Sequence, residues 1–282
     1  MSTPNWTAPA NALSRTPTQQ VTNLDPSSEH SNGMLLTPNR LLRPLGLEFR
    51  RITKAPAYPA PPEDERLALE AILTEFANSL PVDSICADVP ALRDYLNNRR
   101  ITLFHSLIDV AQRAGVDFNG RHIADIGTGT GYLLRVIAHS ARPASLAGFD
   151  TFDEMLGLAR RLCPQARIDQ RSLYAVDGTF DLVLCTETLE HLIDPAKALD
   201  TLYRHVVPGG ALLLTVPDGR HDTLECGELR EDGSAYWGHI HFWSPESWRL
   251  FLGNCFGGRG DVRCDRLSTG ENFAAVHKPA DA

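Results

Sequence analysis

The spacing of apolar positions changes character twice along the chain. Residues 1–36 are mostly Ser, Thr, Pro, Asn and Gln, with few large apolar side chains. Such a segment cannot bury enough surface to offset its ordering entropy, so a disordered tail is expected. In "NRLLRPLGLEFRRITKAPAYPAPPEDE" an arm packed by Leu41, Leu42 and Leu45 leads into a Pro-rich linker, Pro56 to Pro62. Helical spacing then begins. Leu67, Leu69, Ile72, Leu73 and Phe76 recur at intervals of a turn, and "DVPALRDYLNNRRITLFHSLIDVAQRAG" reads as one long helix or two, stopping at Gly115. From about residue 121, short apolar runs alternate with amphipathic stretches. The runs predict strands at His122–Ile126, Ser145–Phe149, Ala166–Asp169, Phe180–Cys185, Ala211–Val216, Asp261–Leu267 and Asn272–His277. Helices are predicted at 130–140, 152–163, 194–206 and 245–254.

Apolar strands separated by helices mean βαβ units and a parallel sheet covered on both faces. Only "STG" joins the last two strands, which predicts an antiparallel hairpin. The fold class is therefore α/β: a Rossmann-like, doubly wound sheet of seven strands, mostly parallel, with a helical N-terminal cap. The expected division is a tail (1–36), an arm, linker and helical cap (37–117), and a main domain (118–282).

Composition narrows the classes of function. The net charge of -8 gives no field that favours a polyanion, so nucleic acid is not the expected partner. Arg40, Arg43, Arg50, Arg51 and Lys54 form a local basic arm; it reads as a solvated face or as a patch for an acidic partner. The six cysteines are scattered with no C-x-x-C pair, the usage of reduced thiols in a cytoplasmic protein. No apolar run nears the roughly 20 residues of a membrane span, and no apolar signal-peptide core opens the chain. Oligomeric state is not written in the sequence.

The chemistry concentrates at "IADIGTGTGYLL", Ile123 to Leu134. Ligands of open α/β sheets bind at the carboxyl ends of the strands, and alternating glycines there admit positive φ and close approach. A dinucleotide loop requires G-x-G-x-x-G; counting from Gly127, its last position falls on Tyr132, so a nicotinamide oxidoreductase is disfavoured. The spacing is D-x-G-x-G-x-G, running from Asp125 through Gly127, Gly129 and Gly131. Asp150 ends the next strand, nineteen residues after Gly131. "GTFDLVLCTETLEHLIDP", "LYRHVVPGGALLLTVPD" with Pro208-Gly209-Gly210 as its turn, "GHIHFWSPESWRLFL" and "GENFAAVHKP" follow in order.

Together these stretches, over roughly residues 118–280, resemble the class I S-adenosylmethionine-dependent methyltransferases of the small-molecule type. The resemblance implies S-adenosylmethionine as cofactor, held by Asp125, Gly127, Thr128, Gly129, Gly131, Asp150, Thr151, Ser172, Leu173 and Cys185. Asp150 would grip both ribose hydroxyls. Ser172 stands where many relatives carry the Asp that takes the adenine amino group; its hydroxyl can accept that bond, and Leu173 can offer its backbone N–H. Phe152 and Met155 read as adenine-face or helix-core residues, and Arg99 or Arg100 as surface arginines or partners of the cofactor carboxylate.

Methyl transfer requires alignment of acceptor, methyl and sulfur, then removal of the acceptor's proton. "CTETLEHL" supplies His191 as base, with Glu190 or Glu187 orienting it. A structural role for Glu190-His191 in its loop competes with this. So does a metal: a helical turn would put Glu187, Glu190 and His191 on one side, with His239 or His241 completing the set for Mg²⁺ or Mn²⁺. That E-x-x-E-H pattern resembles one in ubiquinone-pathway O-methyltransferases and in small-RNA 3′-terminal ribose methyltransferases. Trp237, Trp243 and Trp248 surround "GHIHF" as pocket lining, Trp248 rather as helix core. The implied activity is O-methylation of a small molecule such as a sugar, phenol or secondary metabolite. The alternatives are a metal-dependent RNA ribose 2′-O-methyltransferase and a non-catalytic S-adenosylmethionine-binding module.

Overall fold

The computed structural model describes residues 62–80, 98–220 and 238–281. The expected tail, the basic arm, most of the linker and Trp237 lie outside the described residues. Two helices precede the sheet, α1 (Glu63–Asn78) and α2 (Asn98–Arg113). The sheet strands are β1 (His122–Ile126), β2 (Ser145–Asp150), β3 (Arg167–Gln170), β4 (Phe180–Thr186), β5 (Val206–Val216), β6 (Asp261–Arg266) and β7 (Asn272–His277). Between them run α3 (Tyr132–Ser140), α4 (Asp153–Leu162), α5 (Pro195–Arg204) and α6 (Pro245–Phe256).

The strands form one sheet in the order β3-β2-β1-β4-β5-β7-β6. β1 pairs in parallel with both β2 and β4, while β7 runs antiparallel to β5 and β6. The chain moves outward from β1 to β3, then returns to the other side of β1. That reversal opens a crevice at the carboxyl ends of β1 and β4, where such sheets bind ligands.

Side chains alternate between the two faces, and each face carries its own core. Ile123, Leu182, Leu184, Leu213 and Phe273 pack against α1–α4. Ala124, Ile126, Val183, Cys185, Leu212, Leu214 and Val276 pack against α5 and α6. Two helices, α5 and α6, start at encoded caps. Asp194 accepts the Lys197 N–H at 2.9 Å ahead of Pro195, and Ser244 accepts the Ser247 N–H at 3.2 Å ahead of Pro245. Gly115 follows α2 at φ 87°, the expected stop.

β5 departs from expectation. Pro208-Gly209-Gly210 is not the turn before the strand but lies inside it. A Cβ on Gly210 would sit 2.4 Å from the Asp181 carbonyl oxygen, so glycine there lets β5 press against β4 where their register shifts. The four cysteines among the described residues are unbridged, and no described helix is long and apolar enough to cross a membrane.

Candidate active site

The β1–α3 turn is built from glycines turned to positive φ: 83° at Gly127, 50° at Gly129 and 70° at Gly131. Two of them are required by the protein's own packing. A Cβ on Gly127 would lie 2.2 Å from Thr188 Oγ1, and one on Gly131 would lie 2.7 Å from Ala159 Cβ. The turn thus lies directly against the loop after β4 and against α4.

Two carboxylates frame this turn. Asp125 is 1% exposed; Oδ2 accepts the Thr128 hydroxyl at 2.8 Å, while buried Oδ1 has no partner among the described residues. Burial pushes its carboxyl up to about 7, aided by nearby Asp150 and opposed by Thr128. Asp150 accepts the Thr151 and Phe152 N–H groups at Oδ1, at 2.7 and 3.1 Å. Its Oδ2 accepts the Gly129 N–H at 2.9 Å, tying β2 to the turn. A carboxylate has about four lone-pair sites, so Asp150 keeps acceptor capacity for a ligand hydroxyl.

The other residues implied for the cofactor divide. Ser172 Oγ accepts the Tyr174 N–H at 3.3 Å, starting the 3₁₀ turn Leu173–Ala175 beside Asp150's strand. Thr151 follows Asp150 at the crevice. The Cys185 side chain is wholly buried in the core under α5 and α6, which drives its thiol far up, so only its backbone can face a ligand. Phe152 and Met155 pack on the core face of α4.

After β4 the chain does not form the helical turn expected to align Glu187, Glu190 and His191. Glu187 takes φ 49°, and a 3₁₀ turn follows at Leu189–His191. Glu187 swings away, accepting the Thr215 hydroxyl at 3.0 Å. Glu190 is wholly buried, and His191 Nε2 and His239 Nε2 each lie 3.9 Å from its Oε1. The two rings meet edge-on with centroids 4.6 Å apart. One ligand atom from each of Glu190, His191 and His239 lies within 4.8 Å of the others. His241 stays outside this group: Nε2 meets the Leu192 carbonyl at 2.8 Å, and the ring stacks on Trp243 at 5.2 Å. Trp248 is core, as expected.

The chemistry of this trio admits a cation. His191 Nδ1 faces the Gly238 carbonyl at 3.2 Å, which assigns its proton to Nδ1 and leaves the Nε2 lone pair toward Glu190. Imidazole and carboxylate ligands bind a divalent ion at about 2.0–2.2 Å. Donors 3.9 Å apart are somewhat wider than the roughly 3.0–3.5 Å at which such ligands stand around one ion, so a bound ion would draw the trio slightly together.

One cluster was missed from sequence. Arg99 on α2 pairs with Glu271, which is wholly buried between β6 and β7 and also accepts the Thr269 hydroxyl. Glu187 belongs to it: burial and the Glu271 charge raise its carboxyl to about 7 against the pull of Arg100, Thr215 and Arg99. No motif marks Glu271, which follows an ordinary Thr-Gly turn.

The switch-point crevice thus holds a D-x-G-x-G-x-G turn, with the carboxylate of Asp150 ending the second strand beside it. A family model described as a methyltransferase domain matches residues 97–254, and the chain belongs to that family. It is of the class I, S-adenosylmethionine-dependent fold. It is 36% identical over 114 residues to a ubiquinone biosynthesis O-methyltransferase of Pseudomonas aeruginosa, covering 38% of this chain and 47% of that protein. It is 33% identical over 101 residues to a trans-aconitate 2-methyltransferase of Deinococcus radiodurans, covering 36% of this chain and 39% of that protein. The chain thus spans less than half the length of these curated relatives. The plantazolicin methyltransferase BpumL, solved with S-adenosylhomocysteine, shares the fold at a TM-score of 0.55 and 13% identity, over 77% of this chain and 97% of that one.

Proposed function

We propose that the protein transfers a methyl group from S-adenosylmethionine to a hydroxyl of a small molecule. The observation that carries this is the pair of carboxylates around the glycine turn. Asp125 keeps a buried oxygen for a cationic ligand group, and Asp150, already fixed by three N–H groups, offers its remaining lone pairs to ribose hydroxyls. Thr128 and Gly129 complete the turn, and Ser172 with Leu173 borders the adenine end. When bound, the cofactor supplies an electrophilic methyl on a good leaving group. The chain's task is then to align the acceptor and take up its proton.

His191 and Glu190 are the proposed catalytic pair. Nδ1 is held by the Gly238 carbonyl, Nε2 takes the acceptor proton, and Glu190 at 3.9 Å stabilises the imidazolium. His191→Ala should lower turnover by about 100-fold or more while leaving S-adenosylhomocysteine affinity unchanged. Loss of cofactor binding along with turnover would assign the residue a structural role. Retained turnover would remove it from the mechanism.

His239 favours a second reading, because it presents Nε2 to the same Glu190 oxygen. Glu190, His191 and His239 would then hold Mg²⁺ or Mn²⁺, which when bound supplies a positive charge that acidifies a hydroxyl. Turnover abolished by chelator and restored by Mg²⁺ or Mn²⁺ supports this reading; indifference to chelator removes it. The resemblance of the O-methyltransferase relatives and the net charge of -8 both support a small-molecule acceptor over RNA. The free thiols fit a cytoplasmic compartment.

A further inference from the structure

Thr188 occupies the place where a side chain on Gly127 would stand. A Cβ there would lie 2.2 Å from Thr188 Oγ1, 3.0 Å from its Cγ2 and 3.1 Å from its Cβ. The threonine therefore rests on the first glycine of the cofactor turn. The chain is bent to bring it there. Glu187, one residue earlier, is the one non-glycine among the described residues with positive φ, at 49°. A residue with a side chain holds that backbone at a cost. Two bonds to Thr215 retain it: the Glu187 N–H meets the Thr215 carbonyl at 3.0 Å, and the Glu187 carboxylate accepts the Thr215 hydroxyl at 3.0 Å. This left-handed step after β4 lays Thr188 across Gly127.

Thr188 is itself fixed at both ends. Its hydroxyl donates to the Thr186 carbonyl at 3.0 Å, which locks a side chain that has few rotamers to begin with. Its backbone carbonyl accepts the His191 N–H at 3.2 Å, closing the 3₁₀ turn Leu189–His191. One residue thus touches the cofactor turn with its side chain and holds His191 with its backbone. We propose that Thr188 is a positioning residue for methyl transfer, setting the distance between the glycine turn and His191. This rests on the reading of His191 as the base. Misplacing reacting groups by about 1 Å can cost about 100-fold in rate, so a contact of this kind is felt in turnover. Serine at 188 keeps the hydroxyl and its bond to Thr186; alanine keeps neither.

The test compares wild-type, T188S and T188A protein labelled with ¹⁵N at histidine. NMR at about pH 8.5, where imidazole is neutral, reads which ring nitrogen of His191 carries the proton. The His191 signals are those missing from H191A. His205 is the control: its Nδ1 meets the Gly178 carbonyl at 2.7 Å, at the amino end of β4. S-adenosylhomocysteine affinity is measured by calorimetry, and methyl transfer is measured to catechol. Wild type and T188S should show one His191 form, protonated at Nδ1. T188A should show both forms in exchange, with His205 unchanged. T188A should bind S-adenosylhomocysteine within about twofold of wild type. Its kcat should fall about 10- to 100-fold at unchanged KM, and T188S should recover most of that loss. A single His191 form in T188A, or a wild-type kcat, overturns the inference; an inactive H191A then leaves the base standing. T188A that loses cofactor affinity in step with kcat makes Thr188 a part of the cofactor turn alone and also overturns it. H191A that transfers as wild type removes the base, and this inference with it.

Discussion

Burial sets Asp125 and Glu190 apart from the surface carboxylates of the chain. Both are almost wholly removed from solvent, where an ionised carboxylate is costly to hold, and both stand at or just after the carboxyl ends of the central strands β1 and β4. For Asp125 the consequence is measurable. Burial raises its carboxyl to about 7, so the free protein holds a neutral acid below that pH and an anion above it. A ligand carrying an ammonium binds the anion, so S-adenosylhomocysteine affinity should rise as pH increases through 7 and level off above it. Calorimetric titration from pH 6 to 8.5 checks this. Asp125→Asn should weaken binding by about tenfold and flatten the pH dependence. His239, rather than His241, meets Glu190, and the sequence left those two open. The choice depends on backbone contacts: Ile240 and His241 donate their N–H groups to the Glu190 carbonyl, a pairing that no spacing announces.

At the scale of elements, the loop after β4 is where the sequence pattern misled. The i, i+3, i+4 spacing of Glu187, Glu190 and His191 suggests an α-helical face. The chain instead turns left-handed at Glu187 and then winds as a 3₁₀ turn of three residues, which sends Glu187 toward Thr215. The strands and helices around it were legible because two buried faces impose long apolar runs, and because Asp194-Pro195 and Ser244-Pro245 mark helix starts. Strand β5 was legible only from Ala211 on, since Pro-Gly-Gly reads as a turn until its neighbour Asp181 is known. The glycine turn carries a prediction of its own. Gly131→Ala forces a Cβ to 2.7 Å from Ala159 Cβ at φ 70° and should cost about 1–3 kcal/mol in urea unfolding. Ala159→Gly in the same chain should recover part of that loss, as the clash is mutual. Asp194→Ala removes the α5 cap and should cost about 1 kcal/mol, read from the same unfolding curves.

For the whole molecule, the raised carboxyls of Asp125 and Glu187 bear on stability. Both lie higher folded, at about 7, than their ordinary values of 3.8 and 4.5. Between about pH 4 and pH 7 the folded protein therefore holds protons that the unfolded chain has released. The contribution of these groups to stability is present below pH 4 and is lost as pH rises to 7. Against that background, Asp125→Asn should raise the Tm of the ligand-free protein at pH 8 by several degrees and leave it unchanged at pH 4, as scanning calorimetry would record. The same substitution thus stabilises the fold and weakens the ligand, the signature of a group kept for function.

The sheet order places β1 and β4 side by side, and at the carboxyl ends of these strands and β2 stand Asp125 with the glycine turn, Asp150 and the Glu190 loop. The account stands on that crevice holding S-adenosylmethionine. Calorimetric titration of S-adenosylhomocysteine into wild-type and Asp150→Ala protein tests it most directly. The predicted result is saturable one-to-one binding by wild type, weakened at least about tenfold in the variant. No binding by wild type, together with thermal stabilisation by NADH, would contradict it.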